Sequence, residues 1–296
     1  MTQQVIAAPV LAPSVNAVDV RGASLRAVYM IWKRDLIRYT RDRMRLLASL
    51  AQPVLFLVVF GTGLSSSLRG AGGGIAAAGT SLQYVQFIYP GVMGMAVLFS
   101  AVFGAMSIVW DREFGFLKEV LVAPIHRSSV AIGKSLGSAT QSVIQGAILL
   151  VLAPVAGVRL TVLGVLELIP LLFILAFALS ALGVAIAARM RSMQAFQVVV
   201  NFLMMPLFFL AGSLFPLGSN LPAWLTVLTR LDPVSYGIDA MRRTVLTATG
   251  VPQAALDRLG LSLFGQPLTV WVEVVLLVAF GLAMLALAIL GFRQRD

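Results

Sequence analysis

Long apolar runs separated by short polar gaps dominate this chain. A bilayer core about 30 Å thick takes about 20 apolar helical residues to cross, and open backbone in lipid would leave its polar groups unpaired. Runs of that length predict spans near Leu46 to Leu64, Tyr84 to Trp110, Leu136 to Gly157, Val165 to Ala188, Gln194 to Leu214 and Val270 to Gly291. The second exceeds one crossing, so it is expected to tilt, to break near Pro90-Gly91 or to begin outside the lipid. Only Val158 to Gly164 separates the third from the fourth, which predicts a tight hairpin.

Three segments between the runs carry patterns of their own. In Leu25 to Arg45, Leu25, Val28, Tyr29, Trp32, Leu36 and Tyr39 fall on one helical face, with Arg34, Arg38, Arg41 and Arg45 opposite. Such a helix is expected to lie along an interface with its aromatic side in the headgroups. In Asp111 to Ser135, Phe114, Leu117 and Leu121 recur at helical spacing and Pro124 ends the pattern. A short amphipathic helix on a loop suits a groove in another protein. Phe215 to Pro267 opens with helix breakers at Pro216, Gly218, Asn220 and Pro222, then carries a stripe of Trp224, Leu225, Leu228 and Leu231. Gly70 to Gly74 reads as a flexible connector. The organisation predicted is a flexible tail over 1–23, an amphipathic interfacial helix over 24–45, a transmembrane domain over 46–292 and a short tail over 293–296.

Composition agrees with the bilayer as solvent. Apolar residues make up 59% and charged residues 11%, and mean hydropathy is +0.94. No charged residue occurs from Ala71 to Trp110 or from Ser192 to Thr229. A net charge of +10 would suggest nucleic acid in a soluble protein. Here the basic residues sit in the gaps between spans, where they set insertion direction, so nucleic acid is not an expected partner and membrane lipids are. The N-terminal segment (Arg21, Arg26, Lys33, Arg34, Arg38, Arg41, Arg43, Arg45), the loop after the second span (Arg112, Lys118, Arg127, Lys134), Arg189 with Arg191, and Arg293 with Arg295 fall on one side. Arg69, Arg159, Arg230, Arg242, Arg243 and Arg258 fall on the other. Both termini are therefore expected in the cytoplasm. The first twenty residues show no basic stretch leading into an apolar one, so no cleaved leader is expected. There is no Cys, which excludes disulfides and thiolate chemistry.

Catalytic chemistry finds little support. Gly133-Lys134-Ser135 matches the end of a phosphate-cradling loop, but Ser128 stands where the motif needs its first Gly. His126 is the single histidine, which excludes a multi-histidine metal site. Glu167 and Glu273 lie near predicted outer span ends, where solvation or pairing is expected and proton carriage is not. That weakens an ion-gradient-driven secondary transporter. A lipid-modifying enzyme would need clustered Asp, His or Glu. A non-transporting anchor or sensor subunit stays open as an alternative. Met204, Met205, Phe208 and Phe209 could line an adaptable apolar pathway, and Asn201, a lone amide in an apolar helix, would need a partner at a helix contact or pore.

The order of these features resembles the ABC-2 type family of ABC-transporter permeases, in particular six-span members associated with drug resistance and with lipid-linked glycan export. Two stretches carry the resemblance. The first runs from Tyr89-Pro90-Gly91 through Asp111-Arg112-Glu113-Phe114-Gly115-Phe116-Leu117-Lys118-Glu119 to Pro124-Ile125 and Gly133-Lys134, and the second from Leu231 to Arg242. The resemblance implies an all-α polytopic membrane protein with six transmembrane helices, an N-terminal amphipathic interfacial helix, a cytoplasmic coupling helix and re-entrant extracytoplasmic helices before the last span. It implies that Asp111, Arg112, Glu113, Phe114, Gly115, Leu117, Lys118, Glu119, Leu121, Pro124 and Ile125 meet an ATP-binding subunit, although Phe116 stands where family members carry Thr. Trp32, Arg34, Arg38, Arg41 and Arg45 would belong to the interfacial helix, and Asp232, Pro233, Tyr236, Asp239 and Arg242 to the extracytoplasmic motif. The implied partners are two ATP-binding subunits and a second permease chain, as a homodimer. ATP and Mg would sit on the partner subunit, with no cofactor and no catalytic residue in this chain. The implied location is the bacterial plasma (inner) membrane, and the implied activity is export of a hydrophobic or amphipathic drug, lipid or glycolipid.

Overall fold

The computed structural model describes residues 20–70, 75–77, 80–82, 84–115, 126–158, 160–218, 221–263 and 266–293. Most of the connector expected at Gly70 to Gly74, and most of both tails, lie outside the described residues. Helix α1 (Val20–Arg41) meets α2 (Arg43–Gly70) at 72°. A hairpin of β1 (Ile75–Ala77) and β2 (Thr80–Leu82) follows, with Ile75 opposite Leu82. Then come α3 (Tyr84–Gly104), α4 (Met106–Glu113), α5 (Arg127–Leu152), α6 (Val162–Arg189) and α7 (Met193–Leu210). Short helices α8 (Ala223–Leu231), α9 (Pro233–Ala248) and α10 (Gln253–Leu259), and a hairpin of β3 (Ser262–Leu263) with β4 (Gln266–Pro267), lead into α11 (Val270–Arg293).

The chain is an all-α polytopic membrane protein. Among the described residues five helical runs are long and apolar enough to cross a bilayer, and six if the bent α1–α2 pair counts as one. The run α3–α4 is central. Tyr89, Met93, Val97 and Leu98 are fully enclosed, because α3 is apolar on every face and packs against α2, α5, α6 and α9. On the outside, α7 and α11 expose Phe202, Met205, Trp271, Val275 and Leu282, the surface expected where lipid or another chain supplies the cover.

The second run is broken, though not at Pro90-Gly91, one of the three readings open for it. Pro90 and Gly91 continue α3 without interruption, and the break falls at Ala105. There the amide of Ala105 donates to the carbonyl of Val102 and that of Ile108 to the carbonyl of Ala105. These bonds span three residues instead of four and tighten the ladder locally. Gly91 serves contact, because a Cβ there would collide with the carbonyl oxygen of Ser213. Gly91→Ala is accordingly expected to lower stability by about 1–3 kcal/mol, the cost of overpacking, read as a lower unfolding temperature in detergent.

A second difference concerns α5. The polar stretch before Leu136 is helical from Arg127, so α5 runs 26 residues. Several of its polar residues are not solvated: Ser129, Lys134, Ser135 and Ser138 are buried.

Candidate functional site

Charge concentrates at two places in the fold, one at each end of the helix bundle. The first lies where α1 crosses α5. Gly133 and Gly137 let the helices approach: a Cβ on Gly133 would press on Ile31 and the carbonyl of Val28, and Gly137 faces Asp35. This brings Asp35 over Lys134, whose side chain is 2% exposed. Lys134 Nζ lies 3.1 Å from Asp35 Oδ2, 2.8 Å from Asp111 Oδ2 and 3.0 Å from Ser107 Oγ. Arg34 Nη2 closes the set at 2.8 Å from Asp111 Oδ2 and 3.2 Å from Asp35 Oδ1. Two cations and two carboxylates from α1, α4 and α5 therefore balance, which a largely dry site requires. Trp32 Nε1 donates to Thr140 Oγ1 at 3.0 Å and Gln141 Nε2 to the carbonyl of Asp35 at 3.4 Å, holding α1 in register.

Arginines tie this end to other helices. Arg112 donates to the carbonyls of Ala187 (3.3 Å), Ala188 (3.1 Å) and Met190 at the C-terminus of α6, where unpaired carbonyls and the helix dipole favour a cation. Arg127 Nη1 donates to the carbonyl of Phe292 at the end of α11, 2.9 Å away. Arg38 sits 5.7 Å from the centre of the Trp110 ring. At the end of α4, Glu113 and the following Phe114 are exposed, and Gly115 turns the chain with a φ of 81°. Leu117, Lys118, Glu119, Leu121, Pro124 and Ile125 lie outside the described residues.

The expected faces of α1 need correction. Its buried stripe is Ile31, Asp35 and Tyr39, while Leu25 and Tyr29 are exposed. Arg34 does not stand on a solvated face, since it belongs to the ion network; Arg38 and Arg41 are exposed. The Arg45 side chain is outside the described residues. The pairing of Asp35 with Lys134 turns that stripe inward.

The second concentration lies at the opposite end, around α9. Asp232 caps α9, accepting from the amide of Val234 at 2.9 Å, with Pro233 in the first turn. Burial pushes the Asp232 carboxyl up to about 8. Tyr236 Oη donates to the carbonyl of Arg230 at 2.6 Å. Asp239 Oδ2 accepts from the amide of Leu261 at 2.9 Å and from Arg243 Nε at 3.2 Å, and Arg243 Nη1 donates to Asp257 Oδ1 at 3.0 Å. Arg242, fully enclosed, donates to the carbonyls of Gly212 (2.5 Å) and Phe87 (3.4 Å), its guanidinium 4.1 Å from the Phe87 ring centre. Glu273 is 0% exposed, within electrostatic reach of Asp239, Arg242 and Arg243. Of the two environments expected for Glu273, solvated or paired, the solvated one is excluded, since it is fully enclosed near Arg242 and Arg243; Glu167 is exposed.

The five residues read as a pathway divide between two faces of α7. Asn201, Met205 and Phe209 are exposed, whereas Met204 and Phe208 turn inward, Phe208 packing edge-on against Phe56. The latter two are core residues of this chain. Sequence reasoning did not single out Asp35, Arg243 or Asp257, and took Lys134 for a loop charge. The available signal was an acid inside a basic helix and an arginine pair inside an otherwise apolar stripe. Among the described residues no group of three or more His, Cys, Asp or Glu could hold a metal ion.

Residues 26–246 match the family described as ABC-2 type transporter, three-quarters of the chain from α1 to α9. The chain belongs to the ABC-2 type transporter family. It is similar to transport permease ycf38 of Cyanophora paradoxa, 25% identical over 220 residues that cover 74% of this chain and 73% of that protein. It is also similar to nodulation protein J of Rhizobium leguminosarum bv. trifolii, 25% identical over 228 residues (76% and 83%). A protein of Mycobacterium tuberculosis named probable doxorubicin resistance ABC transporter permease protein DrrC is 29% identical over 215 residues (71% and 73%). The molecule is thus an ABC transporter permease, and membership in this family implies an ATP-binding partner subunit. In this ABC-2 permease the Lys134 network lies wholly inside the matched region, while Asp257 and Glu273 lie beyond it.

Proposed function

We propose that this permease forms the path and the lever of an ATP-driven exporter, moving a hydrophobic or amphipathic drug, lipid or glycolipid out across a bacterial plasma membrane. Two copies enclose the path, two ATP-binding subunits drive it, and both termini face the cytoplasm. The observation that carries this reading is the clamped end of α4. Force delivered to the segment after Gly115 would enter α4 at Glu113, where Asp111 is tied to α1 and α5 and Arg112 to α6. Helices α1, α4, α5 and α6 would then turn as one body. The exposed Asn201, Met205 and Phe209 face of α7 supports a second copy as its cover, since an amide on an apolar helix is best satisfied at a helix contact. A relative named for doxorubicin resistance supports amphipathic cargo.

The ion-driven alternative gains nothing from Glu273. It is the fourth residue of α11, only about 5 Å along the axis from the helix start, well short of membrane depth.

Reconstituting the permease with its ATP-binding subunit in inverted vesicles tests the reading, with ATP-dependent accumulation of an amphipathic substrate inside the vesicles as the expected result. Glu113→Arg combined with Leu117→Asp is expected to leave membrane levels intact while lowering co-purification of the ATP-binding subunit and transport about tenfold or more, the range of a lost interface anchor. Unchanged co-purification and transport would sink the assignment.

A further inference from the structure

At the end of the bundle away from the Lys134 network, α6 from Glu167 to Ile174 and the start of α11 line a cavity of about 620 Å³. That volume suits a small ligand. Leu171 and Ile174 of α6 face it from one side, Trp271 and Val274 of α11 from the other. From Glu167 to Ile174 the α6 wall runs about 10 Å, the length of a medium alkyl chain. Its charged lining comes from three helices: Arg243 and Asp257 line the cavity from α9 and α10, and Glu167 from α6. Arg243 is already met on two sides, by Asp239 at 3.2 Å and Asp257 at 3.0 Å. The Asp257 side chain remains 33% exposed and Glu167 is an exposed residue, so the lining carries two carboxylates against one guanidinium. An anionic head would face two carboxylates, whereas a cation would relieve their repulsion at an interface where water screens poorly.

We propose that this cavity binds an amphipathic amine, its ammonium held by Glu167 and Asp257 and its alkyl tail lying between α6 and α11. The ligand enters sideways from the bilayer. Its source is either an amine-headed lipid or a free alkylamine, which share this chemistry. The proposal rests on α6 and α11 being membrane spans and does not depend on ATP coupling.

The full chain in phosphatidylcholine nanodiscs, without any partner subunit, is irradiated with dodecylamine carrying a diazirine on its tail, and the labelled peptides are mapped. Label is expected on residues 167–174 and 270–274. Blocking by phosphatidylethanolamine would assign a lipid, and blocking by dodecylamine alone a free amphiphile; either supports the site. Dodecyl sulfate should not compete. Glu167→Gln, at an exposed position, is expected to lower labelling about fivefold, the upper range for a partly exposed ion pair, and Glu167→Asp to restore most of it. Label located elsewhere, equal competition by dodecyl sulfate, or labelling indifferent to Glu167→Gln would overturn the proposal. Because no ATP-binding subunit is present, loss of this site and loss of ATP-driven export are separate results.

Discussion

Lys134→Met is expected to destabilise the permease by about 3–5 kcal/mol, the usual cost of removing one partner from a buried ion network. The variant leaves Asp35 and Asp111 enclosed with Arg34 alone to balance them, and Arg34 is the most exposed member. Adding Asp35→Asn restores one charge of each sign and is expected to recover most of the loss, because the remaining Arg34–Asp111 pair at 2.8 Å is intact. Thermal unfolding in detergent and steady-state membrane level measure both. If the single variant is as stable as the parent, the network is not a structural clamp, and the lever assigned to α4 loses its anchor.

Asp239→Leu is expected to have an effect of similar size at the other end. It removes the acceptor of the Leu261 amide and one of two carboxylates bonded to the buried Arg243. An orphaned amide and a buried cation left with one of its two carboxylates together cost about 3–5 kcal/mol. Asp239→Asn keeps an acceptor for Leu261 while dropping the charge, so a smaller loss is expected. Hydrogen exchange separates the two: the Leu261 amide should lose protection in the leucine variant and keep much of it in the asparagine variant. Equal protection in both would show that Asp239 does not hold the segment before α11.

The polytopic character was open to sequence reading because each span must satisfy its own backbone in lipid, which forces long apolar runs. Family membership was equally legible in the Asp111 to Gly115 stretch and in Asp232 to Arg242, where polar residues interrupt apolar surroundings in a particular order. Of the three readings open for the second run, a break at Pro90-Gly91 fails, since the pair's breaking tendency in an isolated helix is overridden when the glycine is the point of contact with Ser213. The burial of Asp35 was not legible in the sequence, because only a lysine on another helix makes it tolerable.

By itself the amino-acid sequence determined that the chain lives in a bilayer, roughly where it crosses, and to which family it belongs, since hydropathy and motif order are properties of consecutive residues. Tertiary structure alone decided the pairings. That Lys134 meets Asp35 and Asp111, that Arg242 holds the carbonyls of Gly212 and Phe87, and that Met204 and Phe208 face the core follow from helices far apart in the chain coming within reach. In lipid such pairings let a charged group avoid a large desolvation cost.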